Sequence, residues 1–375
     1  MLFIAKYPQW YRLAWGGDQH SHVLAEYLAK KNHEVYFLNA IYEGNNNMKF
    51  KKMNYKSYRD RPFYPKADQL IDILQDQKFD IVHHFSTMGY SFEQLKSKKE
   101  VNFPSICSIW TLRTAAAGIN KDWKFLFHGK PFRYLAIRKE KFAAKSANIV
   151  TVASTAMREL VSKEFNIPAE KIRKIPRGVD THFFKLQPWP IRKDKIILAV
   201  ARLEKEKGVQ YLIESVPQIL KVVSNASLRI VGAGKDEKFL RRLVHKLKLE
   251  KSVKFIGKVD RSRMPAFYKE CNVFVLYSLF EPFGAVLTEA GSSGRPVIAP
   301  NCGGPQDIIL DGKTGFLVKP FDFQALIDKI IEVLTNDELS KKMGEVGRQH
   351  ILQNFTWASE AKSYDRLYKE LAIST

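Results

Sequence analysis

The run Cys271–Ala299, "CNVFVLYSLFEPFGAVLTEAGSSGRPVIA", decides how this chain folds. Val273–Tyr277 is an unbroken apolar stretch rich in β-branched and aromatic residues, the pattern of a strand buried on both faces. Ser278–Phe283 is a loop. The next helix starts around Gly284, because Pro282 disfavours helical geometry at Glu281. The same alternation of short apolar runs and amphipathic segments recurs on either side. Strands are expected at Leu2–Ala5, Val35–Asn39, Ile81–His84, Ile196–Val200 and Leu228–Val231. Helices are expected at His20–Lys31, Ala67–Gln77, Val209–Val222, Lys235–Leu247 and Gly284–Ser292. Strand and helix in regular alternation predict parallel sheets covered on both faces, arranged as two doubly wound α/β domains. Lys185–Ile191, "KLQPWPI", breaks both periodicities with its prolines and sets the expected boundary between residues 1–185 and 186–356. Ligands of open α/β sheets bind beyond the carboxyl ends of the strands, so two such domains facing one another would share one cleft.

The chain has 375 residues, 45% hydrophobic, which is enough for two cores. Its formal charge is +22, from 31 basic against 17 acidic residues in 1–185 and 30 against 22 in 186–375. Such an excess favours an anionic partner, whether nucleic acid, lipid surface or phosphorylated substrate, without choosing among them. Cys107, Cys271 and Cys302 are widely spaced, which supports neither a disulfide framework nor a thiolate zinc site and suits a reducing compartment. The apolar start "MLFIA" is too short for a secretory signal, and no run approaches ~20 apolar residues; a membrane contact would be peripheral.

Glu281 and Glu289 flank a Pro-Phe-Gly turn. On a single helix they would stand about 12 Å apart along the axis, too far for a shared metal or a direct dyad. Because they fall on different elements, they suit the two ends of one elongated ligand. The amides of Gly284, Ala285, Val286 and Leu287 are first-turn donors at a positive helix end, a seat for phosphate. The plainer alternative is a capped helix with a surface Glu289. In "ILAVARLEKEKG", Arg202 follows a strand end and Lys207 precedes a helix, so both can reach one anion. Alternatively they pair with Glu204 and Glu206. Gly16 and Gly17 precede a helix and either admit a ligand close to the backbone or form a tight turn. "GAGKDEK" at Gly232 lacks the flanking residues of a phosphate loop. His20 and His22 point to different faces of a helix, which argues against chelation. His83 and His84 read as satisfied strand-end histidines. No Asp-x-Asp occurs, so a metal-bridged diphosphate has no support, and no metal or cofactor is expected.

Taken together, "GGDQHSHVLAEYLAKKNHEV", "IPRGVD", "RLEKEKG", "EPFGAVLTEAGSSGRPVIAPNCGGPQDIILDGKTGFLVKPFD" and the late "FTW" resemble the retaining nucleotide-sugar glycosyltransferases of family four. The resemblance spans nearly the whole chain and is most specific between Ile196 and Asp322. It implies two facing Rossmann-like domains of the GT-B type with a deep cleft, and a last helix, within 357–375, crossing back onto the first domain. It also implies roles. Arg202, Lys207 and the amides from Gly284 to Leu287, next to Phe283, would hold the donor diphosphate. Glu289 would accept from the ribose hydroxyls, Glu281 would face the donor sugar, and the backbone around Lys258 and Val259 would contact the base. Gly16 and Gly17 would border the acceptor. Two positions depart from the family pattern: Trp110 stands where many members carry a histidine, and Arg177 replaces the usual asparagine before "GVD".

The segments Lys49–Lys66 and Lys121–Lys141 interleave cations with aromatic residues, which fits an anionic membrane surface; a solvated face with core aromatics is the alternative. The expectation is therefore a cytoplasmic, membrane-peripheral glycosyltransferase that moves a sugar from a UDP- or GDP-linked donor to a lipid-linked or polysaccharide acceptor, with nucleic acid disfavoured as a partner. The competing readings are a nucleotide-sugar 2-epimerase on the same architecture and a non-catalytic nucleotide-sugar or nucleic-acid binding module.

Overall fold

The computed structural model describes residues 1–4, 17–40, 51–55, 70–71, 74–75, 79–110, 131–191 and 193–373. Gly16, most of the expected helix Ala67–Gln77, most of Lys49–Lys66 and residues 121–130 of Lys121–Lys141 fall outside those residues. The chain divides into two units, Met1–Pro176 with Trp357–Thr375, and Arg177–Thr356.

In the first unit the strands are β1 (Leu2–Ile4), β2 (Tyr36–Ala40), β3 (Lys51–Tyr55), β4 (Val82–Phe85), β5 (Ser105–Ile109), β6 (Ile149–Val152) and β7 (Ile172–Lys174). They form one sheet in the order β3-β2-β1-β4-β5-β6-β7, parallel at every pairing. Successive side chains of a strand point to opposite faces. Phe3 accordingly joins a core with Leu24, Ala25 and Leu28 of the helix Gly17–Ala29, while Leu2 joins another with Leu70, Leu74, Phe92 and Leu95. The same alternation separates the two buried histidines of β4. His83 meets Tyr368 Oη at 2.7 Å and Ser108 Oγ at 2.6 Å, whereas His84 meets Glu93 Oε1 at 2.8 Å.

The helix Trp357–Ile373 supplies Ala361, Tyr364, Leu367, Tyr368 and Leu371 to the Phe3 core. Three histidines meet its polar groups: His20 Nε2 lies 2.5 Å from Glu360 Oε1, His33 Nε2 lies 2.6 Å from Asp365 Oδ1, and His83 bonds Tyr368. Of these, His83 meets two hydroxyls, those of Tyr368 and Ser108, and burial holds its imidazole well below the ordinary 6.5. Below pH 6.5 the unfolded chain takes up a proton at this site and the folded chain does not, so its contribution is complete above 6.5 and is lost as pH falls, by up to about 1.4 kcal/mol per pH unit. Thermal melts between about pH 5 and 7 should therefore show a steeper loss of stability for the wild type than for His83→Gln, and equal slopes would disprove the assignment.

The second unit contains β8 (Lys195–Val200), β9 (Ala226–Val231), β10 (Val253–Gly257), β11 (Val273–Val275), β12 (Val297–Pro300) and β13 (Gly315–Val318). Their order is β10-β9-β8-β11-β12-β13, again parallel throughout. The helix Val209–Val222 buries Val209, Leu212, Ile213, Val216 and Ile219, one apolar stripe, against Ile197, Ala199, Leu228 and Ile230. The division at Pro176/Arg177 falls nine residues ahead of the expected 185/186 boundary. Its cause is local bonding. Arg348 donates to the carbonyls of Phe184 and Thr181, Ser292 Oγ donates to Phe184 O, and the Phe184 ring packs edge-on to Tyr268 at 5.7 Å. Buried Arg295 also binds the proline-rich segment, donating to Pro188 O at 2.6 Å and lying over the Trp189 ring.

Candidate functional site

In the second sheet β8 lies between β9 and β11, so the chain leaves β8 toward one side and returns to β11 on the other. Loops diverge at such a switch point and leave a crevice at the carboxyl ends of the strands. The β8 loop carries Arg202 and Lys207, and the β11 loop carries Ser278 and Glu281. They meet there: Lys207 Nζ donates to Glu281 Oε2 at 2.8 Å, and Ser278 Oγ donates to the same oxygen at 3.2 Å. Both partners of the ion pair are 16% exposed, so the charges are partly desolvated yet reachable from solvent.

Two glycines permit this approach. Gly208 has φ +65°, and a Cβ there would lie 1.9 Å from the carbonyl oxygen of Tyr277, on the neighbouring loop. Gly303, φ +72°, packs so closely on the Glu281 backbone that a Cβ would fall 2.3 Å from its carbonyl oxygen, while the Gly304 amide donates to that oxygen at 2.7 Å. The β12 loop thus braces Glu281 from behind. Cys302 lies in the same loop; burial, with the Glu281 charge adding, pushes its thiol up to about 11, so it carries no thiolate at neutral pH.

The helix after Glu281 runs Ala285–Ser292, with Gly284 at its N-cap in the left-handed region at φ +97° and no side chain capping it. The Leu287 amide is already used, donating to Gly284 O at 2.8 Å, so the set of expected anion donors narrows to Gly284, Ala285 and Val286. Phe283 is buried and packs on Phe355. Glu289 is not the surface residue of the plainer reading: it is 4% exposed, with Arg261 Nη1 at 3.0 Å from Oε1 and Tyr268 Oη donating to Oε2 at 2.9 Å. Burial pushes its carboxyl up from the ordinary value, and Arg261, Tyr268 and Arg177 pull it back. Arg202 is 64% exposed and pairs with Glu204 at 2.5 Å and Glu206 at 3.6 Å, the pairing weighed above as the alternative to anion binding. Lys258 is exposed at the end of β10 and Val259 is buried.

In the first unit, Gly17 opens the helix Gly17–Ala29. Trp110, just beyond β5, packs edge-on to His20 at 5.1 Å and against Phe85 at 4.7 Å. Sequence reasoning missed Ser278, Arg261, Tyr268 and the bracing role of Gly303. Ser278 was the most accessible of these, as the first polar residue past the β11 strand. For Arg261 the spacing in "DRSR" does not say which arginine turns inward; Arg263 remains exposed.

Two parallel-sheet α/β units, one of which brings a lysine–glutamate pair and an uncapped helix start together at its switch point, match the architecture of the GT-B glycosyltransferases. Residues 16–183 match the model of Glycosyltransferase Family 4 and residues 183–350 that of Glycosyl transferases group 1; the chain belongs to this glycosyltransferase family. It is 27% identical to an uncharacterised glycosyltransferase of Methanocaldococcus jannaschii, across 97% of this chain and 96% of that protein. It is 28% identical, over 64% of this chain and 65% of the relative, to a GDP-mannose-dependent alpha-(1-6)-phosphatidylinositol monomannoside mannosyltransferase of Mycolicibacterium smegmatis. In fold it superposes on sucrose-phosphate synthase of Thermosynechococcus elongatus with a TM-score of 0.78 at 22% identity, covering 100% of both chains.

Proposed function

We propose that this glycosyltransferase acts with retention and without a metal, moving a sugar from a UDP- or GDP-linked donor to a lipid-linked or polysaccharide acceptor at the cytoplasmic face of a membrane. The observation that carries the reading is the Lys207–Glu281 pair beside the uncapped start of the helix Ala285–Ser292. Breaking the bond from the anomeric carbon to the phosphate oxygen leaves the electron pair on the diphosphate and positive charge on the sugar. Lys207, the helix end and Arg202, once turned from Glu204 and Glu206, stabilise the diphosphate electrostatically. Glu281 faces the developing positive charge. The acceptor hydroxyl attacks from the leaving-group side, its oxygen forming the new bond to the anomeric carbon while its proton passes to the departing phosphate. Retention then needs no separate protein nucleophile.

A lipid acceptor is supported by the +22 charge and by the basic, aromatic segments Lys49–Lys66 and Lys121–Lys141, and the mycobacterial relative is named for a phosphatidylinositol substrate. Among the described residues no helix is long and apolar enough to cross a membrane. The test is thermal stability against UDP, GDP and ADP with EDTA present, followed by mass spectrometry of the matching nucleotide sugars for slow hydrolysis. Stabilisation by one diphosphate and release of its sugar are expected. No shift with any of the three, or a shift abolished by EDTA, would count against the proposal.

A further inference from the structure

Glu289 is held in a way that the family resemblance does not supply. Each of its carboxylate oxygens already has one protein partner: Arg261 on Oε1 and Tyr268 on Oε2. A carboxylate has about four acceptor sites, so two fixed partners orient it and leave capacity for two further donors. Arg261 is itself fixed on its other side. It is 13% exposed, and its guanidinium lies 5.1 Å from the centroid of the buried Phe184 ring, which packs in turn on Tyr268. The result is a closed group of Glu289, Arg261, Phe184 and Tyr268, drawn from three separate parts of the sequence. Of the four, Glu289 belongs to the helix Ala285–Ser292, whose N-cap Gly284 lies next to Glu281: a Cβ there would fall 3.4 Å from Glu281 Cγ.

We infer that Arg261, together with Tyr268, is a positioning residue of the donor site, fixing the Glu289 carboxylate in one orientation and in its ionised form so that it can receive the paired hydroxyls of the donor's ribose. The inference rests on the donor-site reading given above. Its physical basis is the cost of a buried charge. A carboxylate that is nearly fully enclosed would neutralise rather than ionise unless a cation and hydrogen-bond donors compensated it. The groups facing Glu289 are Arg261 from the turn Arg261–Arg263, Tyr268 from the helix Met264–Glu270, and Arg177 from the start of the unit. Arg348, on the helix packed behind, is committed to Ser292, Phe184 and Thr181. Burial and the adjacent Glu289 hold the Tyr268 hydroxyl protonated, so it stays a donor, and Arg261 is the cation in direct contact. An ionised Glu289 accepts from two hydroxyls; a protonated one offers less acceptor capacity and loses its charge-assisted bonds.

Isothermal titration of the full-length protein with UDP, GDP and ADP and their 2′-deoxy counterparts tests this, on wild type, Arg261→Gln, Arg261→Lys and Glu289→Gln, between about pH 5 and 8. Arg261→Gln should weaken the ribonucleotide that binds wild type by about tenfold, the scale of one charge-assisted hydrogen bond, and weaken its 2′-deoxy form, which keeps only one of the two hydroxyls, by distinctly less. Arg261→Lys should restore part of the loss. Affinity of Arg261→Gln should also begin to fall at a higher pH than that of wild type, because Glu289 then lacks its cation; a purely structural role would not produce that displacement. Equal binding by Arg261→Gln and wild type, with Glu289→Gln still weakened, would overturn the inference and leave the donor site standing. Equal losses for ribose and deoxyribose forms, with a lowered melting temperature, would reduce Arg261 to a packing residue. Absence of binding by wild type to all of these nucleotides would remove the donor-site reading and this inference with it.

Discussion

Replacing Lys207 with alanine should lower the rate of donor-sugar release by about 10²–10³-fold, the loss seen when a preorganised group stabilising transition-state charge is removed. Lys207 and Glu281 are equally and only partly exposed, and their 2.8 Å contact is reinforced by Ser278. Deleting the ammonium leaves the Glu281 carboxylate uncompensated on the crevice wall and removes a positive charge from the place assigned to the leaving diphosphate. Nucleotide binding should weaken as well, because a diphosphate is negatively charged in the ground state. Glu281→Ala should behave differently. It removes the group assigned to the sugar, so rate should fall by a similar factor while binding of the bare nucleoside diphosphate stays within a fewfold of wild type. Binding measured by titration and hydrolysis by mass spectrometry separate the two. If Glu281→Ala abolished diphosphate binding and left hydrolysis of a saturating donor unchanged, the division of roles proposed for the pair would be wrong.

Removing residues 357–375 should unfold the first unit. Tyr364, Leu367, Tyr368 and Leu371 are buried against Phe3, Leu24 and Leu28, and each large apolar side chain withdrawn from water contributes about 1.5–3 kcal/mol. Four of them give about 6–12 kcal/mol, reduced by roughly a third for the compactness of a real unfolded chain, against about 5–15 kcal/mol for the whole stability of a typical domain. The deletion also strips His20, His33 and His83 of their partners on this helix, Glu360, Asp365 and Tyr368. Limited proteolysis with mass-spectrometric mapping should find cleavage within residues 79–110 and 131–176 of the truncated protein and none within those residues of the intact one. Protection equal to that of the intact chain would show that the helix adds little to this core.

Much of the fold was legible because its signals are local. The buried strands of a parallel sheet are continuous apolar runs, so Ile196–Val200 and Val273–Tyr277 stood out, and Val209–Val222 carried an apolar stripe at helical spacing that matches the helix to the residue. The β11 strand is shorter than expected, ending at Val275, because Leu276 and Tyr277 already belong to the loop that Gly208 approaches. The domain boundary was misplaced because prolines mark where regular structure stops, not where packing changes sides. Thr181 and Phe184, which precede the prolines, are held by Arg348.

The site was less legible than the fold. Glu281, Glu289, Arg202, Lys207 and the helix start at Gly284 were recognisable as residue types at functional spacing. Their pairings were not. Spacing along the chain left Lys207 and Glu281, 74 positions apart, as separate motifs, yet they share a hydrogen bond, while Arg202 on the same loop turns to Glu204 and Glu206.

Local signals in the chain account for the alternation of strand and helix, the parallel sheets that follow from it, and the residue types available at each strand end. These depend on burial periodicity and on turn chemistry, which act over a few residues. Long-range packing is what makes β8 and β11 neighbours, lets the loops at Gly208 and Gly303 close together, turns Arg261 rather than Arg263 to Glu289, and brings the helix Trp357–Ile373 to complete the first core. Those outcomes are set by contacts between residues distant along the chain, where a charge is matched or an apolar face is covered only by what the whole fold brings beside it.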